Sequence, residues 1–316
     1  MALKDYIVQE VALDCEAGLL SRREALRRLG LLGVTAAAAT ALLAACGDDG
    51  DASSSTSAAA TSAGATPSSA AAAESSTTPA ASAGGAPATA EGKEIRFNGP
   101  NGELIGVVAE ADSPRGAVLV IHENRGLTPH IRSIPPRLAA DGYTALAIDL
   151  LSEEGGTASL PTEGDATAAL GNAPAERMIA DLRAGLDELG RRTPGSKLAT
   201  IGFCFGGGMT WQLLAAGEPR LAAAVPFYGP FPSDASLAGS PNAAVLGIYA
   251  GLDNRVNGTK DAAEAALTEA GLTHELRVFD GVDHAFFNDT GPRYDADAAA
   301  QAYQAMLDWF GQHLAA

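Results

Sequence analysis

Cysteine is scarce in this chain, three residues in 316, too few for a disulfide framework. Cations are scarce as well: 21 Lys and Arg stand against 38 Asp and Glu, a net charge of −17. Phosphate binding needs clustered positive charge, so no nucleic-acid partner is expected. The uncharged run from Leu29 to Ala45 has 17 residues, rich in Ala, Gly and Thr. That is short and weakly apolar for a membrane span, which needs about 20 apolar residues. His122, His130, His274 and His313 show no ligand spacing with one another, so neither a metal nor a cofactor is expected.

What is present divides into three zones. Residues 1–45 read as an export signal peptide. Lys4, Arg22, Arg23, Arg27 and Arg28 precede the uncharged run. Ser21-Arg22-Arg23-Glu24-Ala25-Leu26 resembles the twin-arginine motif, which delivers folded proteins, and departs from it at Ala25, where Phe is usual. Leu43-Ala44-Ala45-Cys46 resembles a lipobox, which makes Cys46 the expected lipidation site. The expected location is therefore extracytoplasmic, on a membrane through an N-terminal lipid anchor. The alternative is one uncleaved anchor helix.

Residues 46–92 read as a linker. From Gly47 to Gly92, all but Asp48, Asp49, Asp51, Glu74 and Glu91 are Ala, Ser, Thr, Gly or Pro. With no Leu, Ile, Val or aromatic residue, this stretch cannot bury enough apolar area to offset the entropy of ordering. No packed structure is expected before Gly92. Residues 93–316 form the working domain and keep 28 of the acids and 16 of the bases. An acidic domain of this size fits an enzyme or a small-ligand binder.

Continuous apolar runs recur in the domain: 117–121, 145–148, 198–203, 221–227 and 244–249. Continuity, rather than alternation, is the pattern of strands buried on both faces of a parallel sheet. Shorter runs at 95–97, 104–109 and 275–279 suggest strands nearer the edges. Helical periodicity covers 176–189, where Met178, Ile179, Leu182, Leu186 and Leu189 share a face, and also 261–270 and 297–314. The stretch 131–141 is less regular because of Pro135-Pro136. The alternation argues an open α/β fold, whose chemistry sits at the C-terminal ends of strands.

Three strand ends carry reactive residues. Gly202-Phe203-Cys204-Phe205-Gly206-Gly207 has the spacing of a nucleophile elbow with Cys in place of Ser. The following helix N-terminus favours a thiolate. The plain alternative is a small buried Cys at a Gly-rich turn. Asp253 follows a second strand and His284 a third, in the chain order nucleophile, acid, base found in α/β-hydrolases. Asp280 and Asp283 are rival acids, but they lie too close to His284 in the chain for the usual arrangement.

A fourth site, Val120-Ile121-His122-Glu123-Asn124-Arg125-Gly126-Leu127, ends another strand, and Leu138-Ala139-Ala140-Asp141-Gly142-Tyr143 follows it. With Gly-Phe-Cys-Phe-Gly-Gly, Asp253 and His284, this pattern resembles the dienelactone hydrolase family of α/β-hydrolases over 93–316. The resemblance implies a sheet of about eight mostly parallel strands with helices on both faces. It also implies cleavage of a carboxylic ester or lactone, of carboxymethylenebutenolidase type. Cys204 is then the nucleophile, His284 the base, Asp253 its orienting acid, and Glu123 the carboxylate that contacts the resting nucleophile. Backbone N–H groups of Asn124 and Phe205 would form the oxyanion hole, and Tyr228, Arg125 and Phe286 would line the pocket. Asn288 stands where the family carries a carboxylate-binding Arg, so the substrate need not be dienelactone itself. A monomer acting on a small molecule is expected. The alternative is a non-catalytic lipoprotein that keeps the fold as a binding module.

Overall fold

A computed structural model describes residues 3–44 and 92–315. The apolar runs become strands β1 (Lys93–Asn98), β2 (Glu103–Ala109), β3 (Ala117–Ile121), β4 (Thr144–Asp149), β5 (Leu198–Phe203), β6 (Leu221–Phe227), β7 (Ala244–Ala250) and β8 (His274–Phe279). They form one sheet in the order β1-β2-β4-β3-β5-β6-β7-β8. β1 and β2 pair antiparallel through a tight Gly99–Gly102 turn, and β2 meets β4 antiparallel. From β4 to β8 every pairing is parallel. Every residue of β3, β4, β5 and β7 is buried. Because side chains alternate between faces, such strands must be covered on both sides.

The cover is helical: α1 (Leu3–Glu16), α2 (Arg22–Leu31), α3 (Ala36–Leu42), α4 (Pro129–Arg132), α5 (Ile134–Ala140), α6 (Glu163–Asn172), α7 (Ala175–Arg192), α8 (Phe205–Ala215), α9 (Asn254–Asn257), α10 (Lys260–Glu269) and α11 (Ala296–His313). α7 buries Met178, Leu182, Leu186 and Leu189, as its periodicity demands, with Ile179 half-buried at the margin. Pro135 and Pro136 begin α5 rather than break it, since first-turn amides have no intrahelical partner to lose. α6 was not legible from its sequence, EGDATAALGN, which carries a single large apolar residue. It is ordered by a Thr162 cap, which accepts from Asp165 N–H at 3.2 Å, and by packing against α1 and α2.

The N-terminal zone corrects two expectations. Residues 3–44 are not without packed structure: α1, α2 and α3 pack together, α1 and α2 lie against α6, and α1 reaches α8. Tyr6, Ile7, Val11, Ala25, Leu29 and Leu32 are buried there. Nor is the uncharged run one helix. α2 stops at Leu31, Gly33 turns the chain at φ 76°, and Thr35 caps α3 by accepting from Ala38 N–H. No helix among the described residues is long and apolar enough to cross a membrane. The twin-arginine-like segment is locally a helix start, with Ser21 Oγ accepting from Glu24 N–H at 3.2 Å. The expected lipidation site Cys46 and linker residues 46–91 lie outside the described residues.

Candidate active site

The sheet order reverses around β3: β4 lies on one side of it and β5 through β8 on the other. A crevice opens at such a switch point, at the C-terminal strand ends. The register decides what faces it. Ile121 pairs with Gly202, Phe203 with Phe227, and Ala250 with Phe279. Residues a few positions past those levels therefore gather: Glu123 after β3, Cys204 after β5, Tyr228 after β6, Asp253 after β7 and His284 after β8. All five are buried.

Cys204 sits at φ 56°, ψ −115°, a conformation that L-residues rarely adopt, with its N–H held by Phe227 O at 3.0 Å. Only Gly fits two positions to either side of it. A Cβ on Gly202 would meet Gly206 O at 2.0 Å, and one on Gly206 would meet Ile121 O at 2.4 Å. The elbow thus presses the start of α8 against the end of β3. His122, stacked on the Phe205 ring, is fastened there by Leu150 N–H, which donates to its Nε2 at 3.1 Å. This brings the Asn124 loop to the first turn of α8, where the N–H of Phe205 precedes the first intrahelical bond, Gly208 N–H to Cys204 O.

Asp253 Oδ2 lies 2.6 Å from His284 Nδ1, while Asp253 Oδ1 caps α9 by accepting from Val256 N–H. The rival acids are placed elsewhere. Asp283 accepts from the backbone N–H of His284 and faces Arg293, and Asp280 is exposed. Burial disfavours the Asp253 carboxylate, but the His284 charge and hydrogen bond outweigh it and lower the pKa. Burial also opposes a charged His284. Glu10, Cys204 and Asp253 overcome it and hold the imidazole well above its usual value. The Cys204 thiol is pushed up, first by burial and then by Glu10, with His284 pulling the other way.

Glu123 is buried, and burial raises its pKa. Its Oε2 accepts from Asn288 Nδ2 at 2.7 Å. Asn288 therefore holds the strand-end carboxylate. The carboxylate hydrogen-bonded to Cys204 Sγ comes from Glu10, Oε1 at 3.7 Å. Tyr228 packs its ring 5.1 Å from that of His284. Phe286 is a core residue behind it, against Tyr228 and Phe279. Arg125 makes an ion pair with Glu163 at 3.3 Å, and its charge also favours the ionised forms of Glu123 and Asp14.

Sequence reasoning missed the groups that α1 supplies. Tyr6 Oη lies 3.3 Å from Cys204 Sγ and 3.2 Å from His284 Nε2. Arg255 donates to Glu10 Oε2 at 2.7 Å, and Arg293 pairs with Asp14 at 3.0 Å. Tyr6, Glu10 and Asp14 recur every four residues, so one helical face was the available signal. Glu10, Cys204 and His284 also place three donor atoms within 4.8 Å of one another, a set able to hold a divalent metal ion. An ion there would occupy the nucleophile.

A family model described as the dienelactone hydrolase family matches residues 104–314, nearly the whole domain and none of α1, α2 or α3. A protein of Escherichia coli O157:H7 named "Putative carboxymethylenebutenolidase" is 37% identical over 220 residues, 65% of this chain and 79% of its own. One of Methylorubrum extorquens with the same name is 32% identical over 213 residues, 63% of this chain and 73% of its own. Among solved structures, a "Putative Dienelactone Hydrolase" of Klebsiella pneumoniae is 31% identical with TM-score 0.61, over 70% of this chain and 98% of that one. A dienelactone hydrolase-like promiscuous phosphotriesterase from metagenomic libraries is 25% identical with TM-score 0.56, over the same shares.

Proposed function

Because the chain belongs to the dienelactone hydrolase family, we propose that Cys204 opens a carboxylic ester or lactone by two-step acyl transfer. The observation that carries this reading is the buried Asp253–His284 pair beside a cysteine on a strained strand-to-helix elbow. Cys204 gives its proton to His284 Nε2 as Sγ attacks the carbonyl carbon. The oxyanion that forms is stabilised by the N–H groups of Asn124 and Phe205, the largest electrostatic contribution expected. As the C–O bond breaks, His284 returns the proton to the leaving alkoxide, which leaves a thioester on Cys204. A lactone opens here to an acyl-enzyme that keeps its own hydroxyl. Water then loses a proton to His284 and attacks the thioester, releasing the carboxylic acid and regenerating the thiol. Asp253 fixes the imidazole tautomer and balances its charge throughout.

The test is a panel of aryl esters, thioesters and neutral and anionic lactones, with Cys204→Ala beside the natural chain. Turnover lost by a thousandfold or more in the variant is the expected result. Wild-type turnover in Cys204→Ala would make the elbow structural and sink the mechanism.

The location is a separate proposal. The paired arginines, the uncharged run and the Leu43-Ala44-Ala45-Cys46 ending support export and lipid attachment at Cys46. A Cys46→Ser chain expressed in a lipoprotein-processing host should stay unprocessed or lose detergent partitioning. An unchanged precursor size and unchanged partitioning would remove that reading.

A further inference from the structure

The triad is assembled, yet α1 covers it. Cys204 is 3% exposed and His284 5%. An ester carbon has to come within about 3–3.5 Å of the attacking sulfur, and Tyr6 Oη already stands 3.3 Å from Sγ and 3.2 Å from His284 Nε2. Glu10 fills the space alongside, with Oε1 3.7 Å from Sγ and 3.4 Å from His284 Nε2. Arg255 locks both residues. It donates to Glu10 Oε2 at 2.7 Å and to Tyr6 O at 3.0 Å, and its guanidinium carbon lies 4.0 Å over the Tyr6 ring. One turn further on, Asp14 meets Arg293. Tyr6 and a substrate carbonyl cannot share this volume.

We propose that α1 is a built-in inhibitor of the catalytic site, so that the chain is latent while α1 is docked and turns over substrate once α1 is displaced or cut away. This rests on the hydrolase reading above. Steric exclusion and charge act together. The Glu10 carboxylate stabilises a protonated His284, which then cannot accept the thiol proton, and it disfavours a second negative charge on Cys204. Departure of α1 removes both effects and admits solvent to the nucleophile. It also uncovers the guanidinium of Arg255 and leaves it without the Glu10 carboxylate, beside the triad. The attachment suits removal, because α1, α2 and α3 join the domain in sequence only through 45–91, and a cut anywhere in that stretch separates the inhibitor from the whole domain. Processing before Cys46, if the chain is exported as proposed, would remove all three helices in one piece.

The experiment uses the full chain and two independent ways of lifting α1. One is Glu10→Lys, which sets a cation against Arg255 and His284. The other leaves α1 untouched and places a specific protease site within 57–64, followed by cutting and separation of the fragments in high salt. Iodoacetamide labelling of Cys204, read by peptide mass, and aryl ester turnover are followed in each. Both rates should rise roughly tenfold or more over the uncut natural chain, as the competent fraction grows. Unchanged labelling in both preparations overturns the proposal. So does turnover that falls in both while labelling stays constant, which would make α1 a working part of the site. If labelling rises but no ester or lactone is hydrolysed, the inhibitor stands and the hydrolase reading falls.

Discussion

The elbow and α1 both deliver groups to Cys204, and different forces hold them there. At the elbow the restraint is backbone: glycines too close for a Cβ, a strained φ, and a sheet register that aligns the strand ends. At α1 it is side chain: the Tyr6 hydroxyl, the ion pairs of Glu10 and Asp14, and a short apolar strip of Tyr6, Ile7 and Val11. Five of the eight large apolar side chains exposed among the described residues, Leu13, Leu19, Leu26, Leu31 and Leu42, also lie between α1 and α3. Backbone restraint cannot be released without unfolding, whereas side-chain restraint yields to a change of charge or a cut. The chemistry therefore belongs to the first region and the control of access to the second.

Substitutions in the two regions should have opposite signs. The largest effect is expected from Asp253→Asn, which leaves the shape intact but sets His284 in the wrong tautomer. Ester turnover of the cut chain should fall by about 10⁴-fold, and a loss under tenfold would assign the orienting role elsewhere. Gly206→Ala comes next, since its Cβ would meet Ile121 O at 2.4 Å and His122 O at 2.6 Å. Urea denaturation should show a loss above about 3 kcal/mol, or no folded protein at all.

Leu29→Ala removes a fully buried side chain from α2. Its cost of about 2–3 kcal/mol should fall on the docking of the N-terminal helices alone. Hydrogen exchange should accelerate across 3–44, while the domain keeps its denaturation midpoint and Cys204 labels faster.

The docking of α1 should also depend on pH. Glu10 faces His284, Arg255, Cys204, Tyr6, Tyr228 and Asp14. Burial works against its charge, but His284 and Arg255 prevail and hold it at about 2. Its contribution is complete above the ordinary 4.5 and disappears as pH falls through about 2. His284, raised above its ordinary 6.5, contributes fully below that value and loses its share as pH rises through the raised one. Exchange protection of 3–16 should therefore be greatest between about 4.5 and 6.5. Glu10→Gln should erase the acid limb.

The smallest effect comes from a second buried carboxylate, shifted the other way. Asp181 in α7 is driven by burial to about 6, against the pull of Arg177. Its ionisation weakens the fold progressively as pH rises from the ordinary 3.8 to about 6. Asp181→Asn should gain about 1 kcal/mol of stability at pH 8, and the gain should shrink below about 6 and vanish only below 3.8.

Much of this molecule could be read from its residues one by one. Buried parallel strands are continuous apolar runs, so β3 to β7 were visible as such and shorter runs marked β1, β2 and β8, and the strand-end rule pointed to Cys204, Asp253, His284 and Glu123. Each of these follows its own strand by a few residues, which makes its position a local property of the chain. Arg125 and Phe286 show what a loop withholds, because the direction of side chains within it is not local. One pairs with Glu163 and the other turns into the core. Asp253 was chosen over Asp283 from chain spacing, and the geometry of the β8 loop shows where each carboxylate goes. α6 needed its neighbours, since a helix of Ala, Gly and Thr has little apolar face of its own.

The sequence by itself determined the sheet, the elbow and the order of the triad, because those follow from strand burial and from glycine spacing over a few residues. Only the tertiary structure decided what occupies the site. Glu10 is 194 positions from Cys204 and 245 from Arg255. That contact depends on the shape and charge of two surfaces brought together by folding, and neither segment carries it alone.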